Sequence, residues 1–185
     1  GTTLQGAGAV GNQNLQGGTH NLVNAGLISA NLASQTLTLT NSGSITSSGT
    51  LEARNGGTLS IAPSGSWANT GLIKVVDAAS TINLGGTVTV GSLGTFDNVA
   101  GGFLNLTGTL NNAATTIAFS NATGSMRLAG GTVNGGTLQF NGSNGLQFAN
   151  NSNNSLASVT VRGTLNVVDR GGTAGATRIS GGLTL

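Results

Sequence analysis

Four carboxylates, one imidazole and six basic side chains are the whole titratable side-chain inventory of this 185-residue chain, which has neither Cys nor Tyr. What such groups could do depends on which of them share a place. The acids are Glu52, Asp77, Asp97 and Asp169. Glycoside cleavage needs two carboxylates flanking one groove, and calcium-assisted lyase chemistry needs a cluster of oxygen ligands. Asp77 and Asp97 fall on neighbouring repeats at different offsets, with Lys74 nearest, so no pair is expected to face a shared groove. His20 is the only histidine. With no Cys and few acids it assembles neither a zinc set nor a Ser-His-Asp triad, and it reads as a polar loop residue. The glycine-rich stretches are not phosphate loops, since none runs into Lys-Ser/Thr opening a helix. Their Gly-Gly pairs also lack the recurring Asp of calcium-binding repeats. We therefore expect no catalytic, cofactor-binding or metal-ligating residues, no cofactor, and no enzyme activity.

The elements that would position any site follow from composition and spacing. Charged residues are 5 % of the chain, against about 25 % in an average soluble domain, and Gly accounts for 33 residues. The net charge is only +2 despite a pI near 10.6. It is spread over the whole chain, so there is no basic stripe of the kind nucleic acid selects, and no nucleic-acid partner is expected. No apolar run approaches the roughly 20 residues of a membrane span. A mean hydropathy of +0.15 with 37 % apolar residues is not the signature of a disordered chain.

Apolar residues recur on three tracks with one shared period. The first track holds the pairs Leu37/Leu39, Leu59/Ile61, Ile82/Leu84, Leu104/Leu106, Met126/Leu128, Leu146/Phe148 and Leu165/Val167, with Leu15 before them and Leu185 after. The second runs Ile28, Leu51, Ile73, Phe96, Ile117, Leu138, Val159 and Ile179. The third runs Val23, Ile45, Trp67, Val88, Leu110 and Val133, with Leu156 as its continuation. Steps are close to 22 residues, and each segment alternates apolar with polar residues, which is strand periodicity. The commonest residues, Gly, Thr, Asn and Ser, are poor helix formers. The fold class predicted is all-β: a right-handed parallel β-helix, a three-sided β-solenoid of about 22 residues per coil and about eight coils. Residues 1–185 then form a single solenoid domain, a segment or subunit of a larger surface structure. At about 4.8 Å per coil the rod is on the order of 40 Å long. The hand is expected from the preference of parallel connections.

Glycines fall in register ahead of these tracks. The pattern Gly-Ser/Thr-apolar appears at Gly43, Gly49 and Gly57 within one coil, and again at Gly65, Gly86, Gly108 and Gly131. Sharp corners between faces account for it, on the expectation that Gly supplies positive φ there. Trp67 lies on the third track and reads as core filler, not as a sugar platform. Thr38, Ser60, Asn83, Asn105, Gln147 and Asn166 lie between paired core residues and should face outward. Glu52, Lys74 and Asp97, spaced 22 and 23 apart, should stack as a minus-plus-minus ladder. The Thr38/Thr40 pair is followed by Ser60/Ala62 and Asn83/Gly85, so an ice-binding rank of threonines breaks at once.

The stretch from Asn41 to Val75 carries the phrase Asn-x-Gly-x-Ile, also present at Asn24-Ala25-Gly26-Leu27-Ile28, together with repeated Gly-Thr-Leu. In these phrases the chain resembles the β-strand repeats of large secreted bacterial adhesins, the filamentous-haemagglutinin and autotransporter-passenger families. The resemblance covers essentially the whole chain. It implies a right-handed β-helix, export from a Gram-negative-type cell and a secreted or cell-surface location, with no catalytic motif to carry over. The sequence opens at Gly1, which fits a mature product or a piece of a longer chain. The function expected is a structural module, a rigid shaft of an adhesin or extracellular fibre. Its expected partners are further copies stacked end to end or a continuation of the solenoid. The alternative is a glycan-binding β-helix contacting host or surface glycans, and after it a carbohydrate-active or ice-binding solenoid.

Overall fold

Short alternating segments become strands throughout. The computed structural model describes residues 1–11 and 18–185, and the chain winds as a parallel β-solenoid of about eight turns with almost no helix. On the first face seven strands lie in order: Gly8–Gly11, Thr36–Thr40, Thr58–Ile61, Thr81–Leu84, Phe103–Leu106, Met126–Leu128 and Leu146–Phe148. Leu37 sits over Leu59, Leu59 over Ile82, Ile82 over Leu104 and Met126 over Leu146. The second face stacks Ile28, Leu51, Ile73 and Phe96 in one column. On the third, Ile45 pairs with Trp67, and Val88, Leu110, Val133 and Leu156 pair in sequence. The strands Trp67–Asn69 and Thr87–Thr89 adjoin, and Trp67 Nε1 donates to the Gly85 carbonyl at 2.9 Å. Trp67 is buried in the core, as its track predicts. One continuous hydrophobic cluster runs from Ile28 to Val161. Each fully buried member contributes roughly 1.5–3 kcal/mol, and no single coil could bury these side chains alone.

Departures from the predicted tracks occur where apolar neighbours are ambiguous or the coil is irregular. Leu22, not Val23, pairs with Ile45; Val23 is 77 % exposed. Adjacent apolar residues on a strand point to opposite faces, and spacing alone chose the wrong one. Leu15 lies outside the described residues. The first-face partners of Leu37 and Leu39 in the preceding coil are Gly8 and Val10. The second-face ladder stops at Thr95–Asp97, although the rings of Phe96 and Phe119 remain 6.1 Å apart in the core. Beyond it the strand Ser155–Arg162 turns a corner without breaking. Its first half pairs with Thr132–Asn134 and its second with Thr137–Phe140. Ser158, at φ 53°, absorbs the bend, and Leu138 consequently pairs with Val161, not Val159. Ile179 pairs with Leu156 on the third face instead of continuing the second. Leu165 and Val167 lie outside any strand, and Val167 and Leu185 are exposed.

The corner glycines are required, but mostly not for positive φ. Among Gly43, Gly65, Gly86, Gly108 and Gly131 only Gly86 adopts it. The reason is proximity between coils. A β-carbon on Gly71 would collide with the Gly49 carbonyl oxygen, one on Gly49 with that of Gly26, and one on Gly65 with that of Gly43. Stacked corners bring backbone against backbone, and only a residue without a side chain fits.

The asparagines of the Asn-x-Gly phrases are buried at those corners. Asn24, Asn41 and Asn69 are buried, as are Asn98, Asn112 and Asn154 elsewhere. Asn69 Nδ2 donates to the carbonyls of Gly71 and, one coil on, Leu93, both at 3.0 Å, and its Oδ1 accepts from the Gly71 N–H at 3.2 Å. Asn24 and Asn154 make equivalent bonds to the following coil, to Thr50 and to Ala176. A turn leaves carbonyls outside the ladder, and a buried carbonyl needs a donor. The short amide supplies one from within the coil.

Candidate functional site

Each of the four acids has a structural engagement. Lys74 stands in register between Glu52 and Asp97, as the ladder predicts, and its Nζ lies 2.9 Å from Asp97 Oδ2. Glu52 instead accepts the Ser29 hydroxyl at 2.7 Å and lies 3.7 Å from the Arg54 guanidinium. Burial works to raise the Asp97 carboxyl, but Lys74 and the Val99 N–H hold it below its ordinary value. Asp77 organises a turn, accepting from Ala79 N–H at 3.1 Å, Ser80 Oγ at 2.9 Å and, from the preceding coil, Asn55 N–H at 2.6 Å. Burial again opposes and these bonds prevail, so its carboxyl is also lowered. A general acid needs the opposite displacement. His20 is a loop residue, as expected, with Nδ1 3.3 Å from Ser42 Oγ. Among the described residues no three His, Cys, Asp or Glu side chains gather as a metal site.

The richest polar chemistry lies where the first-face track fails. After Arg162 the chain leaves the coil and folds back as a short hairpin, bridged between Val168 and Ala174 and closed by Asp169 N–H to Thr173 O at 2.8 Å. It is seated on the last first-face strand through Phe148 N–H to Val168 O at 2.9 Å. Two charge-assisted bonds clamp it: Arg127 Nε donates to Asp169 Oδ1 at 2.6 Å and Nη2 to Oδ2 at 2.5 Å. The Arg127 pairing is the main reason the Asp169 carboxyl sits below its ordinary value, against opposing burial; the Arg170 N–H adds to it. Asp169 in turn raises Arg127. The guanidinium groups of Arg170 and Arg127 lie 4.8 and 5.2 Å from the ring centre of Phe103, a separation at which a cation is attracted to an aromatic ring. Arg170 Nη1 also reaches the Ala78 carbonyl at 3.4 Å.

Beside the hairpin lie two small cavities of about 180 and 250 Å³, the first against the last first-face strand and the second against the turn at Asn98–Gly102; they share Ser143, Asn144, Gln147 and Arg170 in their walls. Sequence reasoning assigned no site and missed this one. Arg127 and Asp169 are 42 residues apart and share no period. The available signal was Arg127 itself, the one charge in the outward column that holds Asn83, Asn105 and Gln147, together with Asp169-Arg170, adjacent charges in a stretch without strand alternation.

Asp169 sets a pH dependence. Its folded value is depressed, so its contribution to stability is complete above the ordinary Asp value of about 3.9 and is lost as pH falls through the folded value. Protection of the 168–174 hairpin amides, taken relative to their intrinsic exchange rates at each pH, is expected to fall below about pH 4. Asp169→Asn should show that loss already at neutral pH, while amides of the Leu59 and Ile82 strands stay protected. Comparison with protein-family models, with curated proteins and with solved structures finds no match.

Proposed function

We propose that the protein is a rigid β-solenoid module of an exported bacterial adhesin or extracellular fibre, acting as shaft rather than as catalyst. The observation that carries this is the continuous stacked core: coils piled one on the next from Ile28 to Val161, with corners such as Gly49, Gly65 and Gly71 that admit no side chain. Such a rod works by holding a distance. Its surface is poor in charge, which limits nonspecific ionic contact, and its sequence phrases resemble surface adhesins. Among the described residues the strands Thr3–Gln5 and Arg178–Thr184 each pair on one side only. Unpaired strand edges template further pairing, and on this reading another copy meets the rod end to end.

Display downstream of an export signal on a non-adherent Gram-negative cell tests the reading. A chain that resists added protease and holds a tip-fused epitope clear of the cell surface supports it; one degraded, or folded inside the cell and never exposed, overturns it. Sedimentation over a hundredfold concentration range decides the end-to-end arrangement, which a persistently monomeric species removes.

A further inference from the structure

We propose that the two cavities beside the 168–174 hairpin form a binding site for a carboxylated saccharide, with Arg170 taking the carboxylate. The charge at the site leads to an anion. Arg127 neutralises Asp169 by two bonds, so the net charge left at the cavity walls is that of Arg170, which lies in no ion pair among the described residues. Its guanidinium rests on Phe103, and its one hydrogen bond, to the Ala78 carbonyl, is long at 3.4 Å and exchangeable for a stronger, charge-assisted one. A single fixed cation suits one carboxylate of a chain and presents a planar fork to it.

The walls lead to a polyol. Asn144 Nδ2 is held by Asn121 Oδ1 at 2.8 Å, which orients its carbonyl as an acceptor. Ser125 Oγ already accepts from Gly145 N–H at 3.2 Å and keeps a proton to donate. Asn98, 5 % exposed, fixes the wall behind them by donating its amide to the carbonyls of Gly102 and Ser125. Gln147 and Ser143 add an amide and a hydroxyl common to both chambers. Each chamber is smaller than the roughly 300–1,000 Å³ of drug-sized sites, and the two lie side by side with Ser143, Asn144, Gln147 and Arg170 as common walls, an arrangement that fits linked sugar rings rather than one compact ligand.

The site is independent of the shaft reading, and its failure would leave that reading untouched. Titration of the whole chain with a hyaluronan tetrasaccharide, whose alternate sugars are glucuronates, is the test, with neutral maltotetraose as comparison. Saturable shifts of the Gln147 and Asn144 side-chain amide resonances are expected with the acidic probe alone. Arg170→Gln should weaken binding at least tenfold, and Gln147→Ala should weaken it with the Arg170 charge intact. Lys74→Gln, on another face, should change nothing, and unaltered melting of the variants certifies their fold. Absence of saturable binding, equal binding of the neutral probe, or binding indifferent to Arg170→Gln overturns the proposal.

Discussion

Replacing Gly71 by Ala is expected to destabilise the protein by about 3 kcal/mol or more, at the upper end of what overpacking costs. The added methyl group would strike the Gly49 carbonyl oxygen of the preceding coil. That oxygen is not the movable tip of a side chain. It accepts the ladder bond from Leu72 N–H at 3.0 Å, so relief requires two coils to part. Gly71 has no positive φ, and the loss is therefore steric and not conformational. Gly91→Ala isolates the cause: a β-carbon there has nothing within 4 Å and the backbone is ordinary. That change should be neutral or stabilising by up to about 1 kcal/mol, through the unfolded chain. Urea unfolding of the two variants beside the parent measures both, and equal effects would refute the steric account.

Asn69→Ala should cost about 3 kcal/mol, because it strands buried groups at roughly 1–3 kcal/mol each. Asn69 is fully buried, and its amide satisfies the Leu93 carbonyl one coil on while its oxygen takes the Gly71 N–H. Asn69→Asp should be worse than Ala, since a carboxylate would be buried against two carbonyl oxygens that now receive hydrogens. Asn134→Ala provides the contrast. That side chain is exposed and bonded only to Asn111 Oδ1 at 3.1 Å, so its loss should stay within about 0.5 kcal/mol. Denaturation midpoints rank the three, and an Asn134 variant as damaged as the Asn69 variant would sink the distinction.

These two sites mark how far the sequence speaks. The first track was legible nearly residue by residue, because Leu37/Leu39 and its successors are apolar pairs flanking a polar residue, and alternation leaves one choice of inward face. At Leu22-Val23 two apolar residues adjoin and the choice is lost. The glycine register was visible, yet its cause was not: a short-range pattern cannot tell a residue that needs positive φ from one pressed against a neighbouring turn. The Asn-x-Gly phrase was visible as a recurrence, while the downward reach of Asn69 to Leu93 requires knowing which carbonyl lies beneath. The Arg127–Asp169 clamp joins a repeat to a non-repeat, where periodicity carries no information. The second-face ladder ends after Asp97 although Ile117 keeps the spacing: the next residue, Asn98, bridges to Gly124 and donates its N–H to the Thr123 carbonyl, a turn that spacing alone does not reveal.

In each face the ladder bonds run from one coil to the next, and so point along the rod. Tension applied at the two chain termini therefore loads only the bonds of the outermost coil, a handful at a time. That coil peels and lengthens the tether by about 75 Å, from roughly 22 residues extended at ~3.5 Å each, while the coil beneath remains wound. Such a tether gives way in increments, and most of its oily axis stays dry as it lengthens.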